Sequence, residues 1–170
     1  YRVRYVDRII VFIESCNCGM RLMTTNLTAE QVKPRIKELV DALYKAVPAG
    51  VGCKGFVKIT AEQFKEVMRD GAQWCQRNGY ATARDIEYIE DHGKIAQADA
   101  SKVSDRAIKR GLDQLGTLGS GNHYLEIQVV REGNIFDPKA AKAMGISGPG
   151  QIVIMVHCGS RGMGHQVGTD

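Results

Sequence analysis

Five consecutive apolar side chains, Ile152 to Val156, run between Gln151 and His157, and four of them are β-branched. The run is too short for a helical stripe and has no polar alternation, so it reads as a strand buried on both faces. Such a strand has to be covered from two sides, which calls for a sheet with helices packed around it. The run ends in HCGSRGMGHQ (157–166), where glycines permit a tight turn out of the strand. A second strand is expected at 124–129, where Leu125, Ile127 and Val129 alternate with Tyr124, Glu126 and Gln128. GMRLMTTNL (19–27) alternates in the same way, and RIIVFI (8–13) reads as a short buried strand.

Helical patterns separate these strands. Thr28 and Gln31 have capping-box spacing, and Val32, Ile36, Leu39, Val40, Leu43, Tyr44 and Val47 follow at helical period, with Pro34 marking where the regular helix begins. Thr60 and Gln63 repeat the cap ahead of a second helix with Phe64, Val67, Met68 and Cys75 inward and Gly79 as its C-terminal stop. TARDIEYIEDHGK (82–94) and SKVSDRAIKRG (101–111) read as shorter surface helices. The expected class is therefore α/β in the broad sense (α+β), a mixed sheet with flanking helices.

The net charge of +4 is mild and the charges are interspersed, so charge alone argues only weakly for a polyanionic partner. No stretch is long and apolar enough for a transmembrane helix, and residues 1–15 lack the centre of a signal peptide. Cys16, Cys18, Cys53, Cys75 and Cys158 are odd in number and irregularly spaced, which fits reduced thiols or metal ligands better than a disulfide framework. A cytoplasmic protein without membrane attachment is expected.

His123 and His157 both stand at strand ends beside glycines, where loops build sites. Either one alone reads as a structural histidine; the pair raises the prospect of a shared ligand. Cys18 can supply a thiolate, and Cys16 with Cys18 forms a C-x-C pair that lacks the second pair of a zinc ribbon. GSRGMGHQ (159–166) can cradle an anion through backbone N–H groups, Ser160 and Arg161, or can simply be a strand-to-helix turn. His92 reads as a surface residue, and Cys53, Cys75 and Cys158 as packing residues.

Taken together, CGMRLMTTNL (18–27), QADASKVSDRAIKRGLDQLGTLGSGNHYLEIQVV (97–130) and IVIMVHCGSRGMGHQVGTD (152–170) closely resemble the RtcB family of RNA-splicing ligases. The resemblance implies a GTP- and Mn2+-dependent enzyme that joins RNA ends bearing a 2′,3′-cyclic phosphate or 3′-phosphate to 5′-hydroxyl ends, as in tRNA splicing and RNA repair. In that chemistry a histidine accepts GMP and passes it to the RNA 3′-phosphate, and the 5′-hydroxyl then displaces it. The implied partners are tRNA halves and an activating protein. Cys18 matches the thiolate that bridges two manganese ions, His123 a ligand of one and His157 a ligand of the other. Asn122, His123, Tyr124, Leu125 and Glu126 match the segment that contacts the guanylate.

There are departures from the family pattern. Ser15 stands where the family has an aspartate, with Glu14 the nearest carboxylate, and a further metal-binding histidine and the GMP-accepting histidine fall beyond Asp170. The chain reads as an excerpt that does not ligate RNA by itself. Residues 1–17 form an atypical segment ahead of the partial ligase domain at 18–170, and the Asn17–Cys18 junction resembles the end of an intein, although Cys16 stands where an intein usually has histidine. Two other classes fit the residues: a noncatalytic RNA-binding or scaffold relative, and a metal-dependent phosphoester hydrolase.

Overall fold

A computed structural model describes residues 18–170 together with the backbone of residues 4–7. The expected strand at 8–13, and with it Glu14, Ser15 and Cys16, lies outside the described residues. Four strands form one sheet: β1 (Arg4–Asp7), β2 (Gly19–Thr28), β3 (Tyr124–Val129) and β4 (Gln151–Cys158), in the order β1-β2-β4-β3. Each pairing among these strands is antiparallel, and parallel pairing among the described residues is the isolated bridge Ala49–Leu118. The chain is thus a mixture of helix and sheet, as its sequence pattern implies.

The apolar run does form an internal strand, with β2 on one edge and β3 on the other. Its burial is uneven. Gln151, Ile152 and Val153 are buried, whereas Ile154 to Cys158 are half-buried, so the strand's C-terminal half opens toward the surface. The β2–β4 register slips between Thr24 and Thr28. Side chains repair the interrupted ladder: Thr25 Oγ1 donates to the Ile152 carbonyl at 2.6 Å, and Gln151 Nε2 to the Thr25 carbonyl at 2.8 Å. A buried backbone carbonyl needs such partners, because an unmade hydrogen bond there costs about 1–3 kcal/mol.

Both capping boxes form. Thr28 and Gln31 cap the short α1 (Ala29–Val32), a tighter turn carries Pro34, and α2 (Ile36–Ala46) follows. The apolar stripe expected on this stretch is only partly used: Val32 is buried, but Val40 is 52 % and Tyr44 87 % exposed. Thr60 and Gln63 cap α3 (Ala61–Asp70). The single helix expected from 61 to 78 is instead broken at Gly71, and α4 (Ala72–Arg77) continues in a new direction. Gly71 has φ +55°, and a Cβ there would stand 2.1 Å from the Gly93 carbonyl oxygen. Gly71→Ala is expected to cost about 3 kcal/mol or more, from left-handed strain plus a backbone collision, read as a lowered Tm.

After α5 (Ala83–Glu87), the helix α6 (Asp105–Gly111) departs from its expected surface position. Ala107 and Ile108 are buried, and a Cβ on Gly111 would meet both Met163 Cβ and Phe64 Cζ at 2.8 Å. Small residues at 107 and 111 let α6 sink between α3 and α8 (Arg161–Val167), a contact that the surrounding charges disguise. Helix α7 (Pro138–Ala143) begins under an Asp137 cap ahead of β4.

Asp70, at the end of α3, gathers Arg77 at 2.6 Å, Lys94 at 2.9 Å and Arg69 at 3.4 Å around a nearly buried carboxylate. Its hydrogen bond from Lys94 first, then that from Arg69, holds it far below the ordinary carboxylate range. A depressed carboxyl stabilises the fold above its ordinary pKa and loses that contribution as pH falls through the folded value. Acid unfolding is therefore expected to flatten toward low pH in Asp70→Asn, which carries no proton to take up, when Tm is followed from pH 6 down to pH 2.

Candidate metal and guanylate site

The open end of β4 is where three strands deliver their candidate residues. Cys18 immediately precedes β2, His123 immediately precedes β3, and His157 is the penultimate residue of β4. The register sets His157 opposite Met20 on one side and Tyr124 on the other. Residues two apart on a strand share a face, so Cys18 falls on the same face as Met20 and His157. Sheet pairing therefore brings together residues separated by more than a hundred positions.

Cys18 Sγ lies 3.3 Å from His123 Nε2. The His123 and His157 rings stand edge to face with centroids 5.9 Å apart, and Tyr124 meets His157 edge-on at 5.2 Å. Leu125 and Glu126 lie further along β3, opposite Val156 and Met155, and Glu126 is exposed and accepts from Gln128 at 2.6 Å. Asn122 is exposed in the turn ahead of β3. Cys158 donates weakly to the Thr117 carbonyl at 3.6 Å, as a packing residue does, and His92 is exposed.

Two further residues belong to the site's frame. Gly119 is buried, and a Cβ there would stand 1.8 Å from His123 Nδ1 and 2.0 Å from an Arg161 guanidinium nitrogen. Both side chains thus press against the space that glycine leaves. Arg161 itself has φ +56°, an uncommon conformation for a residue with a side chain, at the turn from β4 into α8. The turn reading of GSRGMGHQ is the one the backbone adopts, and it sends Arg161 toward His123. Gly119 could have been suspected from LGTLGSGN, but nothing in the sequence said which glycine backs the histidine.

His123 Nδ1 and Arg161 Nε are buried with no hydrogen-bond partner among the described residues. Burial, followed by the charges of Arg161 and His157, lowers the His123 pKa and favours neutral imidazole. That is the form in which histidine ligates a metal ion. Two donors at bond lengths of 2.0–2.3 Å from one ion stand about 3.1–3.6 Å apart, a range that includes the Cys18–His123 separation. The pair fits a cation. Among the described residues no three His, Cys, Asp or Glu side chains close around a single point, so a bound cation would take further ligands from elsewhere.

Comparison with known proteins supplies the context. A family model described as tRNA-splicing ligase RtcB matches residues 5–170. The tRNA-splicing ligase RtcB of Pyrobaculum aerophilum is 54% identical over 154 residues, covering 91% of this chain and 31% of that protein. Those of Methanococcus maripaludis and Pyrococcus horikoshii are 52% and 55% identical over the same length, which is 32% and 17% of the respective proteins. The chain thus spans a third or less of the length of these relatives.

Proposed function

The chain belongs to the RtcB family, and from that premise we infer that it supplies one wall of the active site of a GTP- and Mn2+-dependent RNA ligase. The reaction would join a 2′,3′-cyclic phosphate or 3′-phosphate RNA end to a 5′-hydroxyl end, with tRNA halves as the natural substrate class. The observation that carries the reading is the approach of Cys18 Sγ to His123 Nε2 at 3.3 Å, beside His157, at the end of an internal strand.

On this reading Cys18, His123 and His157 are the residues of this chain that would hold the manganese ions. Bound there, the ions would neutralise phosphate charge and activate the attacking oxygen. The chain's own residues do the positioning. His123 is kept neutral by burial and by Arg161, so its nitrogen is free to bind without first shedding a proton. The Arg161 guanidinium, held against Gly119, offers two-pronged hydrogen bonding to a phosphate oxygen pair. Tyr124, edge-on to His157, restrains that ring, and Asn122 to Glu126 lie where a guanylate would pass. The GMP-accepting histidine and the remaining ligands would belong to the part of the family's length that this chain does not span. A cytoplasmic location fits the four free cysteines among the described residues and the lack of a membrane-length apolar helix there.

End joining by the full-length protein tests the reading. With GTP and Mn2+, RNA carrying a 2′,3′-cyclic phosphate and a 5′-hydroxyl is expected to be joined, and RNA with a 3′-hydroxyl and 5′-phosphate is not. Phosphate release from the cyclic end without joining would point to a hydrolase instead. Full metal loading with neither reaction would point to a noncatalytic relative.

Residues 1–17 are included in the proposal as the tail of a self-splicing insert. The same 154 residues make up 31% of one relative and 17% of another, so these relatives differ about 1.8-fold in length, as they would if only some carried an insert. Against this stand the family match from residue 5 and the pairing of Arg4–Asp7 with β2. Mass spectrometry of the mature product decides: a peptide joining residues 1–17 to Cys18 would rule the insert out.

A further inference from the structure

An extended segment ahead of α3 alternates in burial: Gly55 and Val57 are buried, while Lys54, Phe56 and Lys58 face outward. Phe56 is 62 % exposed. Tyr80, itself 46 % exposed, stands beside it with ring centroids 6.2 Å apart. Tyr80 in turn stacks on buried Trp74 at 6.0 Å with the ring planes only 12° apart. Trp74 is buried and its Nε1 donates to Glu66 at 3.1 Å, so the outer rings rest on a packed, hydrogen-bonded base. Gly116 also lies close to Phe56, since a Cβ there would come within 3.2 Å of the ring.

Charge selects the partner. Lys58 makes no ion pair among the described residues, and Lys54 holds only an exposed one, with Asp113 at 3.3 Å, which water screens and a phosphate can displace. Two lysines bracketing rigid, exposed rings are what an unpaired nucleic-acid strand requires: cations for the backbone and aromatic faces for the bases. A duplex offers its phosphates but hides its base faces. An acidic peptide would satisfy the lysines and leave the rings unused.

Resting on the RNA ligase reading, we propose that Phe56 and Tyr80, flanked by Lys54 and Lys58, form a stacking platform for an unpaired stretch of the RNA substrate, separate from the metal site. The loop 113–118 links the two regions. Gly55 N donates to the Asp113 carbonyl at 2.8 Å, and the chain that carries Gly116 leads on to Gly119 and His123.

The test uses the full chain and a fluorescein-labelled RNA whose 3′-hydroxyl and 5′-phosphate ends cannot be joined, so binding is measured without ligation. Single-stranded RNA is expected to bind more tightly than a duplex of the same sequence and to quench Trp74, the chain's one tryptophan. Phe56→Ala and Tyr80→Ala are each expected to weaken anisotropy-measured binding about tenfold, and Phe56→Tyr to retain it. Lys58→Ala should lower the slope of log K against log salt by about 0.7. Unchanged affinity and salt slope in the alanine variants, or equal binding of single strand and duplex, would overturn the proposal. Loss of the platform with end joining intact would leave the ligase reading standing.

Discussion

His123→Ala in the full-length protein is expected to lower the rate of RNA joining by at least about 100-fold while leaving the fold in place. Replacing groups that merely orient a metal ligand costs about 10–100-fold, and His123 on this account is a ligand itself. Its ring is half-buried, its Nδ1 has no hydrogen-bond partner among the described residues, and its Nε2 lies 3.3 Å from Cys18 Sγ. Removing it therefore sacrifices about one hydrogen bond's worth of stability, about 1 kcal/mol, against the full contribution to the site. Single-turnover joining assays and thermal melts on the same preparation separate the two. A variant that joins RNA at the wild-type rate would remove His123 from the machinery, and one that fails to melt cooperatively would make it a structural residue.

Gly119→Ala should have an effect of similar size although Gly119 touches no substrate. The added carbon would fall 1.8 Å from His123 Nδ1 and 2.0 Å from Arg161. Both obstacles are side chains, which can swing away, so the backbone survives and the site does not. The expected result is a circular dichroism spectrum like wild type with joining reduced at least about tenfold, since misplacement of a site by an ångström commonly costs about 100-fold. Gly71→Ala provides the contrast, because there the collision is with a carbonyl of the backbone and the loss appears in Tm.

What the sequence revealed depended on the range of the forces involved. Capping boxes at Thr28 and Thr60 and the alternation in Tyr124–Val129 are local signals, and each element begins where they predict. The break at Gly71 was not legible, because a lone glycine in a helical pattern is ordinarily tolerated and the close approach of the Gly93 carbonyl, which leaves no room for a Cβ there, comes from elsewhere in the chain. The burial of α6 was hidden for a related reason: Ala107 and Gly111 carry little hydrophobic signal, yet their smallness admits Phe64 and Met163. The open apolar face of α2 is the reverse case, a strong periodic stripe that the described residues only partly cover.

The candidate site divides in the same way. Cys18, His123 and His157 were recognisable as strand-end residues beside pliable backbone, and antiparallel pairing of β2, β4 and β3 brings those ends together. The parts contributed by Gly119 and Arg161 rest on close approach between loops, for which the sequence offers glycines but no address.

The most direct test of the account is Mn2+ binding to the full-length protein, followed by loss of the free-ion electron paramagnetic resonance signal in a titration, for wild type and for Cys18→Ala, His123→Ala and His157→Ala. Wild type is expected to bind the ion, and each substitution to weaken binding at least about tenfold. Binding that is equally strong in all four proteins would contradict the assignment of these three residues as the metal site.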